Sequence, residues 1–428
     1  MAMKRRVTWG LPFFLSLVTL VFSPVARAGE SLDPSFGEGG VSLLSVGSVE
    51  ALSQDSAGRL VSMGGGAGAF RVIRYLRNGS FDPSFGRGGS VTTELGALPM
   101  ATAVAIQPDG KIVAAGSDIP PMMVLARYEA TGARDRSFGN RGQTSIHVGY
   151  RQGGARDLAL QPNGRILVAG YGVDYRYDWT AFLVAYKPNG ELDESFSGDG
   201  MVKLTTEDDV SIEFDAMEVL PSGKILLAGD LSGYLMVVRL LPNGKPDPTF
   251  DHDGQAFLDV DGDKECPCAY TTGLDIDRRG RAVVAAEVVD GDPQPSALAR
   301  YLPNGRLDRG FGREGIVRTT LGNRLAGKDM AIQRNGKIVL AGTYNVPGSG
   351  EARVAVVRYL PDGRLDRGFA RNGFFTRDFG VEGVAYSAIV QRDGRVVVGG
   401  RANPKPSPFH ENESVFDTAQ IFLIRFLP

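Results

Sequence analysis

A short Asp-x-x-Phe motif recurs seven times along the chain and limits what it can fold into. The Asp falls at positions 33, 82, 135, 193, 247, 308 and 366, and a Phe follows three residues later at 36, 85, 138, 196, 250, 311 and 369. Repeats of this length cannot bury their apolar faces alone, so they must stack into one body. The 428 residues are therefore predicted to form one repeat domain.

Each repeat contains four short strand-like runs. In the second repeat, apolar runs at 105–107 and 112–116 flank a Pro-Asp-Gly turn, which is typical of a hairpin. A third run follows at 124–128, and a fourth follows the motif, as at 89–93. Four antiparallel strands without helical periodicity describe a propeller blade. The predicted fold is all-β, a seven-bladed β-propeller over residues 29–428.

The strand-like runs at the two ends of the chain are complementary parts of one repeat. A run of the fourth type, residues 41–44, comes before any run of the first type, while the last repeat stops at its third run, 421–426. We predict that residues 41–44 pair with this last run and complete the seventh blade. The pairing would close the ring and remove the exposed sheet edges.

The repeated motifs resemble a known family. The stretches LDPSFG, AIQPDGKIVAAG and RYLPDG resemble the delta-60 repeat family of exported bacterial proteins, and the strand order is similar to that of NHL-type propellers. The resemblance covers residues 32–428 and implies a β-propeller of largely unassigned function, with no catalytic residues. The chain departs from the pattern at Ala185, where most repeats have Arg.

The N-terminus has the pattern of a secretory signal peptide, assigned to residues 1–28. Three basic residues at 4–6 precede an apolar run at 7–22, and Ala-Arg-Ala follows at 26–28. An uncleaved anchor is the alternative, but the run is short for a membrane span. We expect a periplasmic or secreted monomer with no membrane span after cleavage. Removing four positive charges changes the net charge from −2 to −6, which argues against nucleic-acid binding.

Residues that occur in every repeat favour a structural role, because a functional site is ordinarily singular. The motif Asp can accept hydrogen bonds from the backbone two residues later, forming an Asx turn, and the Phe is expected to pack between blades. A buried charge needs a partner. We predict that each Arg of the third strands pairs with the neighbouring motif Asp, at Arg74, Arg127, Arg239, Arg300, Arg358 and Arg425.

Loops of variable length lie on one face of the predicted ring, where function is expected. The candidate ligand-binding residues come from two of these loops at the third blade: Tyr150, Tyr171, Tyr175, Arg176, Tyr177 and Trp179. Aromatic rings edged by polar groups suit a sugar or a peptide. We expect non-enzymatic binding of a protein or glycan. The alternative is that these rings only cover the blade's own core.

A second loop group, at the fifth blade, is rich in acidic residues and contains both cysteines. Its acidic residues are Asp259, Asp261, Asp263, Glu265, Asp290 and Asp292. They could hold calcium, although the spacing departs from the EF-hand pattern, and a solvated acidic loop is the favoured alternative. No other cofactor is expected. Cys266 and Cys268 are close enough for a small disulfide loop, with free thiols or a metal site as alternatives.

An enzyme is the second function class. The three histidines occupy unrelated positions, and the chain has no nucleophile elbow, zinc helix or phosphate loop. A metal-dependent hydrolase or lyase would place carboxylates at the central channel, for which Asp157, Asp215, Asp275 and Asp329 are candidates. Asp157, Asp215 and Asp329 precede apolar residues at a similar position, which favours a structural turn role. A purely structural envelope module is the third possibility.

Overall fold

The computed structural model describes residues 31–428, apart from 67–68, 96–99, 120, 149–150, 177–178, 205–211, 261–267, 381 and 404–418. Every regular secondary-structure element within these residues is a β-strand. Strand β1 (Val41–Val46) comes first in the chain and is followed by five sheets of four strands each. In these sheets consecutive strands are hydrogen-bonded neighbours and run antiparallel.

We number the repeat units by these sheets. Unit 1 contains β2 (Ala51–Gln54), β3 (Leu60–Gly66), β4 (Ala69–Tyr75) and β5 (Ser90–Thr93). Unit 2 contains β6 (Met100–Ile106), β7 (Ile112–Asp118), β8 (Met122–Tyr128) and β9 (Gln143–His147). Unit 3 contains β10 (Gln152–Leu160), β11 (Ile166–Val173), β12 (Trp179–Tyr186) and β13 (Met201–Leu204). Unit 4 contains β14 (Ile212–Val219), β15 (Ile225–Leu231), β16 (Tyr234–Leu240) and β17 (Gln255–Leu258). Unit 5 contains β18 (Ala269–Ile276), β19 (Ala282–Val288), β20 (Ser296–Tyr301) and β21 (Ile316–Thr319).

The remaining strands form an eight-stranded sheet with two halves. Unit 6 contains β22 (Arg324–Ile332), β23 (Ile338–Asn345), β24 (Ala352–Tyr359) and β25 (Phe374–Arg377). Unit 7 contains β26 (Glu382–Val390), β27 (Val396–Asn403) and β28 (Gln420–Phe426), with β1 paired to β28. A parallel bridge between Ala352 and Glu382 joins the halves.

The N-terminal strand pairs with the C-terminal strand, as predicted. Val41 lies opposite Ile424 and Leu44 opposite Ile421, in an antiparallel ladder. Units 1 and 7 also pack together, because Leu52 shares an apolar cluster with Leu423. The backbone N–H of Leu52 donates to the hydroxyl of Ser387, with 3.2 Å between the atoms.

Second strands are buried on both faces, since a neighbouring sheet covers each face. All seven residues of β19 are buried, whereas the fourth strand of the same unit, β21, has one exposed and two half-buried residues. Strands covered on both sides have continuous apolar sequences rather than alternating ones. The core is therefore divided into apolar clusters between adjacent sheets, as with Val61 and Val72 of unit 1 against Ile112 of unit 2.

The motif Asp plays the predicted structural role in every unit. Its Oδ1 accepts the backbone N–H two residues later, at distances of 3.0 to 3.2 Å. The six predicted Arg–Asp pairs are confirmed with N–O distances of 2.7 to 2.8 Å. In unit 3, where Ala185 replaces the Arg, Arg165 of the preceding turn lies 2.7 Å from Asp193 instead.

The motif Phe packs between units, as predicted. Phe85 is fully buried in a cluster shared by units 1 and 2. The guanidinium that pairs with the motif Asp also covers the motif Phe ring in all seven copies, at 4.4 to 5.2 Å from the ring centroid. Asp, Arg and Phe thus form one repeated structural group.

Candidate ligand site at the channel mouth

A cavity of about 720 Å³ is lined by the first strands of all seven units. These strands share an irregularity that the sequence did not reveal. In six of them the pairing register shifts by one residue at the same place, forming a β-bulge. The bulged residues all line the cavity: Thr102, Arg156, Asp215, Thr272, Lys328 and Tyr386. A bulge redirects a side chain, and here the redirected residue varies between units: it is Thr in units 2 and 5 and a different residue in each of the other four.

Units 3 and 4 bring opposite charges together at their bulges. Arg156 Nη2 lies 3.2 Å from Glu213 Oε2, and Arg156 Nε lies 3.6 Å from Asp215 Oδ1. Asp230, near the end of β15, completes the group. The carboxylates of Glu213, Asp215 and Asp230 each place an oxygen within 4.8 Å of the others. We call Glu213, Asp215 and Asp230 the acidic triad.

The acidic triad holds more negative charge than Arg156 balances. Asp230 is only 7% exposed, and its Oδ1 has no hydrogen-bond partner among the described residues. Burial and the nearby Glu213 carboxylate raise the pKa of Asp230 to about 7. Burial and the same Glu213 also raise the pKa of Asp215, while Arg156 opposes the rise. Such shifts are frequent at functional sites.

Two of the predicted aromatic residues extend this group. The Arg156 guanidinium lies 4.5 Å from the centroid of the Tyr171 ring. Tyr171 in turn stacks on Trp179, with centroids 4.9 Å apart and planes inclined by 21°. Arg156 is therefore held between an aromatic pair and two carboxylates. Trp179 is half-buried, and it connects through Tyr171 to Arg156, which lines the cavity.

The other predicted ligand-binding residues are only partly described. Tyr175 is 71% exposed, and the backbone N–H of the exposed Arg176 donates to Asp174 Oδ1 at 2.7 Å. Tyr150 and Tyr177 lie outside the described residues. The structure thus brings Tyr171 and Trp179 together, while the ligand-binding role of the whole set stays a prediction.

Three of the four channel carboxylates connect adjacent first strands. Asp157 accepts the N–H of Leu158 and, from the next unit, that of Met217, both at 2.7 Å. Asp329 does the same with Met330 at 2.7 Å and Ala388 at 2.8 Å. Asp275 bonds to Ile276 and Ile332 in the same way, both at 2.6 Å. These hydrogen bonds support a structural role, as a link between units rather than a turn.

Asp215 does not share the position of Asp157 and Asp329. It is the bulged residue itself, whereas Asp157 and Asp329 each follow a bulge by one residue. The similarity suggested by the sequence was wrong by one residue. Asp157 and Asp329 lie seven residues before the glycine of the following turn, whereas Asp215 lies eight residues before Gly223 and so occupies the bulged position itself. At this position Asp215 lies 3.6 Å from Arg156 and beside Glu213 and Asp230.

Sequence reasoning missed Arg156, Glu213 and Asp230. They lie within strands, and function was expected in loops. A usable signal existed in the second strands, where Tyr171 follows Gly170 in unit 3 and Asp230 follows Gly229 in unit 4. A variable residue that follows a repeated one, at the channel end of a strand, indicates a non-structural role.

The acidic loop of unit 5 is also only partly described. Asp261, Asp263, Glu265 and Cys266 lie outside the described residues. Asp290 and Asp292 are exposed, and Asp290 Oδ1 accepts the N–H of Gly291 at 2.7 Å. The calcium site and the disulfide between Cys266 and Cys268 therefore stay predictions.

Comparisons with known proteins agree with the repeat. The family model described as "Domain of unknown function (DUF5122) beta-propeller" matches residues 57–85, 107–138, 161–196, 220–250 and 333–369. Each match ends at a motif Phe, and none contains a bulged residue. These matches support a bacterial β-propeller repeat family. No curated protein matches the chain.

Several solved structures resemble the chain at low sequence identity. A catalytically inactive virginiamycin B lyase from Staphylococcus aureus with quinupristin is 8% identical, with a TM-score of 0.46 and coverage of 90% of this chain and 98% of that one. A protein of unknown function from Dyadobacter fermentans is 13% identical, with a TM-score of 0.47 and coverage of 77% and 95%. The PQQ-bound aldose sugar dehydrogenase from Streptomyces coelicolor is 13% identical, with a TM-score of 0.41 and coverage of 90% and 98%.

The described residues contain no helix that is both long enough and apolar enough to cross a membrane.

Proposed function

We propose that the protein is an exported, monomeric member of the delta-60 repeat family with seven blades in a closed ring. The blade count is supported by five four-stranded sheets and by the two halves of the eight-stranded sheet. Closure is supported by the β1–β28 ladder and by the packing of unit 1 on unit 7. Export to the periplasm or the cell exterior follows from the signal-peptide pattern at residues 1–28.

We further propose that this propeller binds a carbohydrate, without catalysis, at the channel mouth of units 3 and 4. One observation carries this proposal: Arg156 joins the Tyr171–Trp179 stack to the acidic triad. A sugar presents an apolar C–H face edged by hydroxyl groups. Its face packs on the accessible part of Trp179, and its hydroxyls donate to the triad carboxylates. The concave cavity of about 720 Å³ suits a small ligand better than a protein surface.

A matched pair of variants tests carbohydrate binding. Trp179 is the first residue of β12, and Tyr234 is the first residue of β16 in the next unit, where it is 37% exposed. The protein is screened on a glycan array, and the sugar it retains is titrated by calorimetry. We expect Trp179→Ala to weaken binding about tenfold or more, while Tyr234→Ala leaves it unchanged. No retained glycan, or equal losses in both variants, contradicts the proposal.

A metal-dependent hydrolase or lyase is the second candidate, favoured by the acidic triad. A carboxyl with a pKa of about 7, such as Asp230, can act as a general base near neutral pH. The test is turnover of polysaccharide, lactone and ester substrates with added divalent metal. Turnover lost in Asp230→Asn, under conditions where sugar binding persists, supports the enzyme. Binding without turnover supports the carbohydrate-binding propeller.

A further inference from the structure

We propose that the acidic triad, Glu213, Asp215 and Asp230, is a site for a divalent cation such as Ca²⁺. The site lies at the channel end of unit 4 and differs from the acidic loop of unit 5. It does not depend on carbohydrate binding. The ligand geometry and a comparison with the next unit support this assignment.

The spacing of the three carboxylates fits one hard cation. Calcium binds six to eight oxygens at about 2.4 Å, so adjacent ligand oxygens lie roughly 3.4 Å apart and opposite ones about 4.8 Å apart. The triad oxygens lie within 4.8 Å of one another. Three carboxylates supply half of the coordination, and waters from the adjoining cavity can supply the rest.

One member of this group has a buried oxygen without a hydrogen-bond partner, although its side chain also accepts a backbone hydrogen bond from Gly233. Asp230 is more than nine-tenths buried, yet its Oδ1 accepts no hydrogen bond among the described residues. Leaving a buried carboxylate oxygen without a partner costs free energy. The hydroxyl Oγ1 of Thr272, the bulged residue of the adjacent β18, is a second buried oxygen without a described partner. A cation would supply the missing partner of Asp230.

In unit 5 the residue equivalent to Asp230 is Glu287, and its carboxylate is paired with basic side chains of the protein. Glu287 follows Ala286 in β19 as Asp230 follows Gly229 in β15, and each lies opposite the residue two positions before the bulge of its unit, Tyr270 and Glu213 respectively. Glu287 is 4% exposed but pairs with Arg324 and with Lys328, the latter at 3.3 Å. At the bulge where unit 6 has Lys328, unit 5 has the uncharged Thr272. The cation that Glu287 obtains from the neighbouring unit is therefore missing at Asp230.

Arg156 does not fill this role. Its guanidinium forms ion pairs with Glu213 and Asp215 but none with Asp230 among the described residues. Its attraction lowers the pKa of Asp230, but burial and Glu213 outweigh it. Its side chain is 38% exposed and stacks on Tyr171, so it borders the triad on one side. Arg156 also repels a second cation, and removing its charge should strengthen ion binding rather than weaken it. This sign distinguishes a cation site from a salt-bridge network.

The experiment titrates the metal-free protein with CaCl₂ by calorimetry and with MnCl₂ by electron paramagnetic resonance. Four proteins are compared: wild type, Asp230→Asn, Glu287→Gln and Arg156→Gln, each with its fold checked by circular dichroism. We expect one ion at the triad in wild type. Asp230→Asn should weaken it about tenfold or more, Glu287→Gln should leave it unchanged, and Arg156→Gln should keep or strengthen it.

The alternatives have distinct results. If Asp230→Asn does not fold, Glu213→Gln takes its place with the same expectation. A second ion that persists in Asp230→Asn belongs to another site, and loss of the first still supports the triad. The proposal is overturned by no binding at millimolar Ca²⁺ or Mn²⁺, by binding unchanged in both acid variants, or by loss of binding in Arg156→Gln.

Discussion

The Asp–Arg–Phe group and the ring of bulged residues use the same repeat in opposite ways. In the first region, every unit places a carboxylate, a guanidinium and a Phe ring in the same geometry, even where Ala185 requires Arg165 to replace the usual Arg. In the second region, the backbone irregularity repeats but the side chain does not. Side chains that recur in every unit hold the units together. Variable side chains at a fixed bulge leave the channel free to acquire a site.

The largest expected effect comes from breaking one repeated group. Asp247 is 1% exposed and lies 2.7 Å from Arg239 and 2.8 Å from Lys224. Asp247→Ala should lower the free energy of unfolding by about 3–5 kcal/mol, because the buried Arg239 loses its partner. Urea denaturation measures the change. Asp253→Ala, at an exposed turn, is the control with a loss below about 1 kcal/mol. Equal losses would contradict a structural role for the motif.

Unit 3, where Ala185 stands in place of the repeated Arg, gives a second test of the Asp–Arg–Phe group. Arg165 is the cation beside Asp193, whereas Asp135 in unit 2 has both Lys111 and Arg127. Arg165→Ala should therefore cost about 2–4 kcal/mol, and Lys111→Ala only about 0.5–1 kcal/mol. Both variants are measured by urea denaturation. A larger loss for Lys111→Ala would show that Arg165 does not compensate for Ala185.

Neutralising Glu287, which has two ion-pair partners, should lower the free energy of unfolding, whereas neutralising Asp230 should not. Glu287→Gln weakens ion pairs with Arg324 and Lys328 and should lower the free energy of unfolding by about 1–3 kcal/mol. Asp230→Asn removes a buried charge near Glu213 and should change stability little, or raise it by about 1 kcal/mol at pH 8. Thermal unfolding in a chelator compares them. Strong destabilisation by Asp230→Asn would indicate a structural role for Asp230.

The smallest expected effect is on how the free energy of unfolding depends on pH. Burial raises the pKa of Asp157 and Asp275 to about 6 and that of Asp329 to about 7, from 3.8. Between about pH 4 and pH 7 the folded state retains protons that the unfolded state has released, so these groups reduce stability as pH rises. Asp329→Asn should flatten this fall, by at most about 1.4 kcal/mol per pH unit.

The control for the pH experiment is Asp362→Asn. The backbone N–H and side chain of Arg364 lower the pKa of Asp362, so this carboxyl does not titrate between pH 5 and pH 8. Denaturation at several pH values gives the slopes. Equal slopes in wild type and Asp329→Asn would contradict the assignment of the pH dependence to Asp329.

The sequence predicted the parts of the molecule that repeat. Seven copies of Asp and Phe revealed the units. The pairing of residues 41–44 with β28 could also be predicted, because a run of the fourth type precedes the first repeat and is missing from the last one. The site was harder. Tyr171 and Trp179 were found as loop aromatics, but Asp215 was assigned to the wrong position and Arg156 was missed. A one-residue bulge decides which side chains face the channel, and hydrophobic patterning does not reveal it.

The central claim is that a non-repeated group on a repeated scaffold forms the site. A crystal structure of the protein soaked in MnCl₂, with anomalous scattering data, tests it most directly. We expect an anomalous peak bounded by the carboxylates of Glu213, Asp215 and Asp230, and none beside Glu287. Peaks only at other places, or an empty triad in a crystal that binds Mn²⁺ elsewhere, would contradict the account.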